Sequence, residues 1–177
     1  MKKRIIAMGV VFSLSSAASV FAASDNTITF QGEVTDQTCA VTVNGSASSP
    51  VVLLPTVSIG DFSNLTTAGA TTFEVGVSGC TPDTKGDVKV STVFVGNLVT
   101  NSGNLGNTGT ASNVEIQILD TAGKIIDFTS NFNGDGDLIL TSGATSTSAN
   151  YIAQYYITGT PTTGSVTSSL QYAVTYL

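Results

Sequence analysis

Cys39, Cys80 and the acidic pair Asp135 and Asp137 are the residues whose types and spacing come nearest to chemistry in this chain of 177 residues. The sequence contains no histidine. A Ser-His-Asp or Cys-His arrangement therefore cannot form, and paired carboxylates are the remaining route to acid–base work. Asp135 and Asp137 lie in Asn131-Phe132-Asn133-Gly134-Asp135-Gly136-Asp137, which superficially resembles a calcium loop. Such a loop needs a bidentate acid at its twelfth position, and counting from Asn131 that position holds Ser142. Asn-Gly and Asp-Gly are favoured tight-turn pairs, so Asn131 to Gly136 is expected to be a plain turn between strands.

The chain opens on a targeting pattern. Lys2, Lys3 and Arg4 precede an apolar run from Ile5 to Ala18, and Val20-Phe21-Ala22 offers small residues for cleavage after Ala22 or Ala23. The run is too short and too rich in serine for a membrane span, so residues 1–22 are expected to be a signal peptide of an exported protein. The remaining 155 residues suit one domain. They carry three lysines against twelve acids, a net charge of −9, which argues against nucleic acid or anionic membrane surfaces as partners. Charged residues are only 10% of the chain, against roughly 25% in ordinary domains, so the polar surface must come from Thr, Ser, Asn and Gly. In an exported chain an even cysteine count reads as a disulfide, Cys39 with Cys80. Two thiols without histidine would need carboxylates to complete a zinc site. Closing a loop of about 40 residues stabilises a fold by roughly 4 kcal/mol in the chain-entropy account.

From Asp25 onward, β-branched and aromatic residues alternate with polar ones between turn clusters, which predicts an all-β sandwich. The predicted strands are Ile28 to Val34, Ala40 to Val43, Val51 to Leu54, Thr71 to Ser78, Val88 to Val95, Val114 to Leu119, Asp137 to Leu140, Tyr151 to Thr158 and Val166 to Tyr176. The longest loop between them, Asn97 to Ser112, is rich in Gly, Asn, Ser and Thr. Two strands stand out for their alternation. In the first, Ile28, Phe30, Gly32 and Val34 share one face, with Thr29, Gln31 and Glu33 on the other; in the last, Leu170, Tyr172, Val174 and Tyr176 oppose Gln171, Ala173 and Thr175.

Together these features resemble the major subunits of bacterial fimbriae built by the chaperone-usher route, in the type 1-like group. The resemblance covers the whole mature chain. It rests on the signal segment, the stripe ahead of Cys39-Ala40-Val41, the return to Gly79-Cys80, the run Ala153 to Gly159 and the closing strand. Two positions sharpen it: Tyr176 is penultimate, and Gly164 is fourteenth from the end.

The resemblance implies an incomplete immunoglobulin-like sandwich, the pilin fold, that lacks its last strand and is completed by a donor strand. It implies residues 23–38 as an N-terminal donor extension, with Ile28, Phe30, Gly32 and Val34 as donor residues, and residues 39–177 as the pilin domain. Gly164, Leu170, Tyr172, Val174 and Tyr176 would belong to the groove strand that a periplasmic chaperone engages. The implied partners are neighbouring subunits of a homopolymer, that chaperone, an outer-membrane usher and a host receptor reached through the assembled fimbria. The implied place is the cell surface after transit through the periplasm, with no catalytic residues, metal or cofactor. The rival role is a minor adaptor or tip pilin that binds a host glycan. A small secreted hydrolase is disfavoured by the missing histidine and nucleophile arrangement.

Overall fold

The computed structural model describes Val34 and residues 39–176. Eight strands run through them, all pairing antiparallel: β1 (Ala40–Val43), β2 (Thr67–Ser78), β3 (Val88–Gly96), β4 (Leu105–Gly106), β5 (Val114–Leu119), β6 (Phe132–Leu140), β7 (Ser146–Ile157) and β8 (Leu170–Tyr176). One 3-10 turn, Ile59–Phe62, precedes β2. The strands form two sheets, one in the order β1-β2-β7-β5-β4 and one in the order β6-β3-β8. The expected all-β fold is what the chain adopts.

The period-2 patterning explains why the sheets face each other. Phe73 and Val75 of β2, Ile116 and Ile118 of β5, and Tyr151 and Ala153 of β7 turn inward from the five-stranded sheet. They meet Phe94 of β3 and the half-buried Phe132 of β6 from the other sheet. Val77, Val90, Leu138 and Leu140 build a second cluster beside Cys80. At the centre, the fully buried Tyr151 ring lies 5.7 Å from Phe73, 5.0 Å from Phe94 and 6.4 Å from Phe132, so one tyrosine joins aromatic side chains of both sheets. The Cys39–Cys80 disulfide is formed and ties the entry to β1 onto the end of β2.

The largest departure from expectation is at Asn131 to Gly136. Phe132 to Gly136 belong to β6 and are not a turn. Register explains how glycines enter a strand here: Val90 faces Leu138 and Thr92 faces Gly134, so Asp135, Gly136 and Asp137 oppose Ser91 alone. In this bulge the Asp137 carboxylate folds inward and takes the place of a ladder acceptor, receiving the Thr92 backbone N–H at 3.0 Å and the Tyr151 hydroxyl. The Gly136 N–H donates to Ser91 Oγ at 2.9 Å. A Cβ on Gly134 would collide with the Asp137 carboxylate, which is why glycine stands there. Asp135 is exposed on the other side of the strand.

Val51 to Leu54 is extended but pairs with no strand among the described residues. β2 begins at Thr67, before the expected Thr71, because a bulge between Ala68 and Thr71 carries pairing with β7 further along. Gly69 sits in that bulge at φ +66°, and a side chain there would strike the Tyr155 ring. β8 starts at Leu170 rather than Val166, because Ser165, Thr167 and Ser169 bond to loop residues: Ala111 N–H donates to Ser165 O at 3.0 Å, Thr108 N–H to Thr167 O at 2.8 Å and Asn97 N–H to Ser169 O at 3.3 Å. The predicted strand Ile28 to Val34 lies outside the described residues apart from Val34.

Replacing both Cys39 and Cys80 by serine is expected to lower stability by roughly 4 kcal/mol; an unchanged urea midpoint would remove the bond's assigned role. Burial pushes the Asp137 carboxyl above its ordinary value, against the opposing backbone N–H bond from Thr92. The folded chain thus holds this proton more tightly than the unfolded one, and the resulting stabilisation, complete below the unfolded value, fades as pH rises through the folded value. Relative to Asp137→Asn, the wild-type chain should gain stability as pH falls from neutral towards the ordinary carboxylate value. Parallel pH profiles of the two proteins in denaturant titrations would contradict this.

Candidate functional site

Between the two sheets, the core reaches the surface along one side. The opening is a groove of about 540 Å³ whose floor is Phe73, Val75, Phe94, Ile116, Ile118, Ala153 and Tyr155, residues of the main core. One wall is the extended segment Pro50 to Leu54, where Val52 and Leu54 turn inward and Val51 and Leu53 stay 73% and 81% exposed. The opposite wall is Val166 to Leu170 with Tyr172, the segment that leads into β8, where Val166, Ser168, Leu170 and Tyr172 are half-buried and Thr167 and Ser169 exposed.

Among the described residues, both walls are short of backbone partners. β8 is the edge of its sheet, bonded to β3 on one side only, and Pro50 to Val57 makes no backbone hydrogen bond to any described residue. Among the described residues the apolar floor thus lies between two segments that each leave one backbone edge without a strand partner, a geometry suited to strand addition. The arrangement can bind an extended peptide. Among the described residues no cluster of three or more His, Cys, Asp or Glu could hold a metal ion.

A second cavity of about 720 Å³ adjoins the groove, sharing Tyr155 and Val166 as lining and extending to Val57, Phe62, Pro161 and Gly164. Burial pushes the Tyr155 phenol above its ordinary value. Gly164 could bear no side chain here, since a Cβ would come within 2.5 Å of the Ala111 backbone nitrogen.

Of the residues singled out from the sequence, Leu170 and Tyr172 line the groove and Gly164 lines the adjoining cavity. Val174 and Tyr176 continue the same face of β8 but pack on the second core cluster, beyond the groove lining. Val34 is fully exposed; Ile28, Phe30 and Gly32 lie outside the described residues. Most of the groove lining was not singled out from the sequence as a site, including Val52, Leu54 and Ser168. A signal for the first two is visible in Val51-Val52-Leu53-Leu54, four apolar residues in a row with no polar alternate, as fits a segment whose outer face awaits no water-facing strand.

Residues 28–177 match the family profile described as fimbrial protein. The chain is 37% identical over 183 aligned residues to the F17 fimbrial protein of Escherichia coli, an alignment covering 99% of each. It is 34% identical over 178 residues to the major fimbrial subunit SMF-1 of Stenotrophomonas maltophilia strain K279a, covering 92% of this chain and 99% of that one. In fold it is similar to the P pilus rod subunit PapA, with a TM-score of 0.59 at 16% identity over 78% of this chain and 99% of that one. With a matching profile over most of its length and relatives aligned end to end, the chain belongs to the fimbrial protein family, whose members are structural subunits and not enzymes.

Proposed function

We propose that this chain is the main structural subunit of a chaperone-usher fimbrium and polymerises by receiving, in its groove, the segment Ile28 to Val34 of the next copy. The observation that carries this is an apolar groove cut into the core between two unpaired edges, in a chain that also bears an alternating apolar stripe ahead of its first cysteine. A full-length relative named as a major fimbrial subunit supports the rod role over a tip or adaptor role. Burying Ile28, Phe30 and Val34 contributes roughly 4 to 9 kcal/mol of gross apolar stabilisation, at about 1.5 to 3 kcal/mol each. Each net backbone bond along the rim adds about 0.5 to 1.5 kcal/mol, set against the ordering of a free segment.

Before assembly, an unfilled groove would aggregate, so a periplasmic chaperone is the partner that holds it, through the strand that carries Leu170, Tyr172, Val174 and Tyr176 and the turn at Gly164. The usher then passes the subunit outward to the cell surface as one strand replaces the other, with no bond made or broken and no nucleotide consumed.

Deleting Asp25 to Val34 is expected to leave a subunit that still binds its chaperone but cannot attach to the preceding subunit. Incorporation of that variant into fibres at the wild-type level would overturn the assignment. Leu170→Glu, which places a carboxylate in the groove, should abolish uptake of a synthetic Thr27 to Thr35 peptide, whereas Ile139→Glu, at an exposed site on β6, should leave uptake unchanged; gel mobility of the complex reads both. In purified fimbriae this chain should far outnumber every other component, and a single copy per filament would exclude the rod role.

A further inference from the structure

Two hydroxyls in the described residues are shielded from solvent and without a hydrogen-bond partner, Thr92 Oγ1 and Ser168 Oγ, and of the two only Ser168 lines the groove. Its neighbours along the same wall are Val166, Leu170 and Tyr172. Thr167 and Ser169 also border the groove but are exposed, so the wall's four half-buried positions are three large side chains and one short polar one. The stripe Ile28, Phe30, Gly32, Val34 also has four positions, three large and one with no side chain at all.

We propose that Ser168 sets the register of the incoming strand by standing opposite Gly32, where its hydroxyl donates to the donor's exposed backbone. This rests on the donor-strand reading given above. A bulky donor residue opposite Ser168 would leave the hydroxyl as unpaired as it is in the free chain, forgoing the gain of up to about tenfold in affinity that a hydrogen bond to it supplies. A glycine lets a neighbouring backbone approach a serine side chain from the same face most closely.

The match also selects the strand direction. Run antiparallel to β8 with Gly32 on Ser168, the donor sets Val34 on Val166, Phe30 on Leu170 and Ile28 on Tyr172, so every large residue falls on a groove-lining one. Run parallel, the same pairing sets Phe30 on Val166 and Ile28 on Gly164, which is exposed and outside the main groove. A slip of two residues in either direction sets Phe30 or Val34 opposite the hydroxyl and forgoes that hydrogen bond, so the serine favours one register over its neighbours.

The test titrates purified full-length protein, wild type and Ser168→Ala, with synthetic Thr27 to Thr35 peptides carrying Gly32 or Gly32→Ala. Against wild-type protein, Gly32→Ala should weaken uptake by about tenfold, and Ser168→Ala alone should weaken the Gly32 peptide by about threefold to tenfold. In Ser168→Ala protein the Gly32→Ala penalty should shrink to about threefold or less, because the methyl group occupies the space the hydroxyl left. Losses that simply multiply would overturn the register while leaving donor uptake intact. Failure of the wild-type peptide to bind wild-type protein would overturn the donor-strand reading itself. A second measurement covers a poorly folding alanine variant: Ser168→Cys protein should cross-link under mild oxidation to a Gly32→Cys peptide and not to a Phe30→Cys peptide; preferential linkage to Phe30→Cys would contradict the pairing.

Discussion

Among the described residues, β8 has a strand partner on one edge only, and the apolar groove opens beneath its other edge. Either feature alone would be ordinary. Sheet edges are common, and a protein surface carries much apolar area. Here the groove floor is made of Phe73, Phe94, Ile116 and Tyr155, side chains that also hold the two sheets together. One added strand is the simplest way to satisfy both needs.

The opposite side of the sandwich supplies the rigidity such an opening requires. Tyr151 packs on aromatic rings from both sheets while its hydroxyl reaches Asp137 across the interface. Asp137 in turn holds the Thr92 N–H in a stretch where the ladder is interrupted. Thr92 faces Val174 of β8, which places the edge strand one residue pair away from this polar clasp. The inter-sheet contact and the open edge are thus connected through β3.

Much of the strand layout is legible in the sequence because strict alternation is a strong signal: Ala40–Val43 and Val114–Leu119 are strands over the residues that the pattern predicts. Asn131 to Gly136 was misleading for a physical reason, since Gly-Asp-Gly is turn chemistry unless a bulge lets the aspartate fold under its own strand, which depends on Ser91 and Tyr151 far away in sequence. Val51 to Leu54 has strand composition, but pairing needs a neighbour, and none among the described residues is in reach. The face of β8 could be read from alternation; its division into groove lining at Leu170 and Tyr172 and core packing at Val174 and Tyr176 could not, because it depends on where the floor beneath opens. Ser168 was hidden because a lone serine on an apolar stripe looks like an interruption of the pattern.

The Cys39–Cys80 bond has a mechanical consequence. Cys39 immediately precedes β1, the outermost strand of its sheet, which by itself could be peeled away one hydrogen bond at a time by a pull on the chain ahead of it. With Cys39 bonded to Cys80, such a pull enters the sandwich at the far end of β2, a strand held on both flanks by β1 and β7. Tension then loads several backbone bonds together in shear, and a body built this way can bear traction from its leading segment without unravelling from its weakest edge.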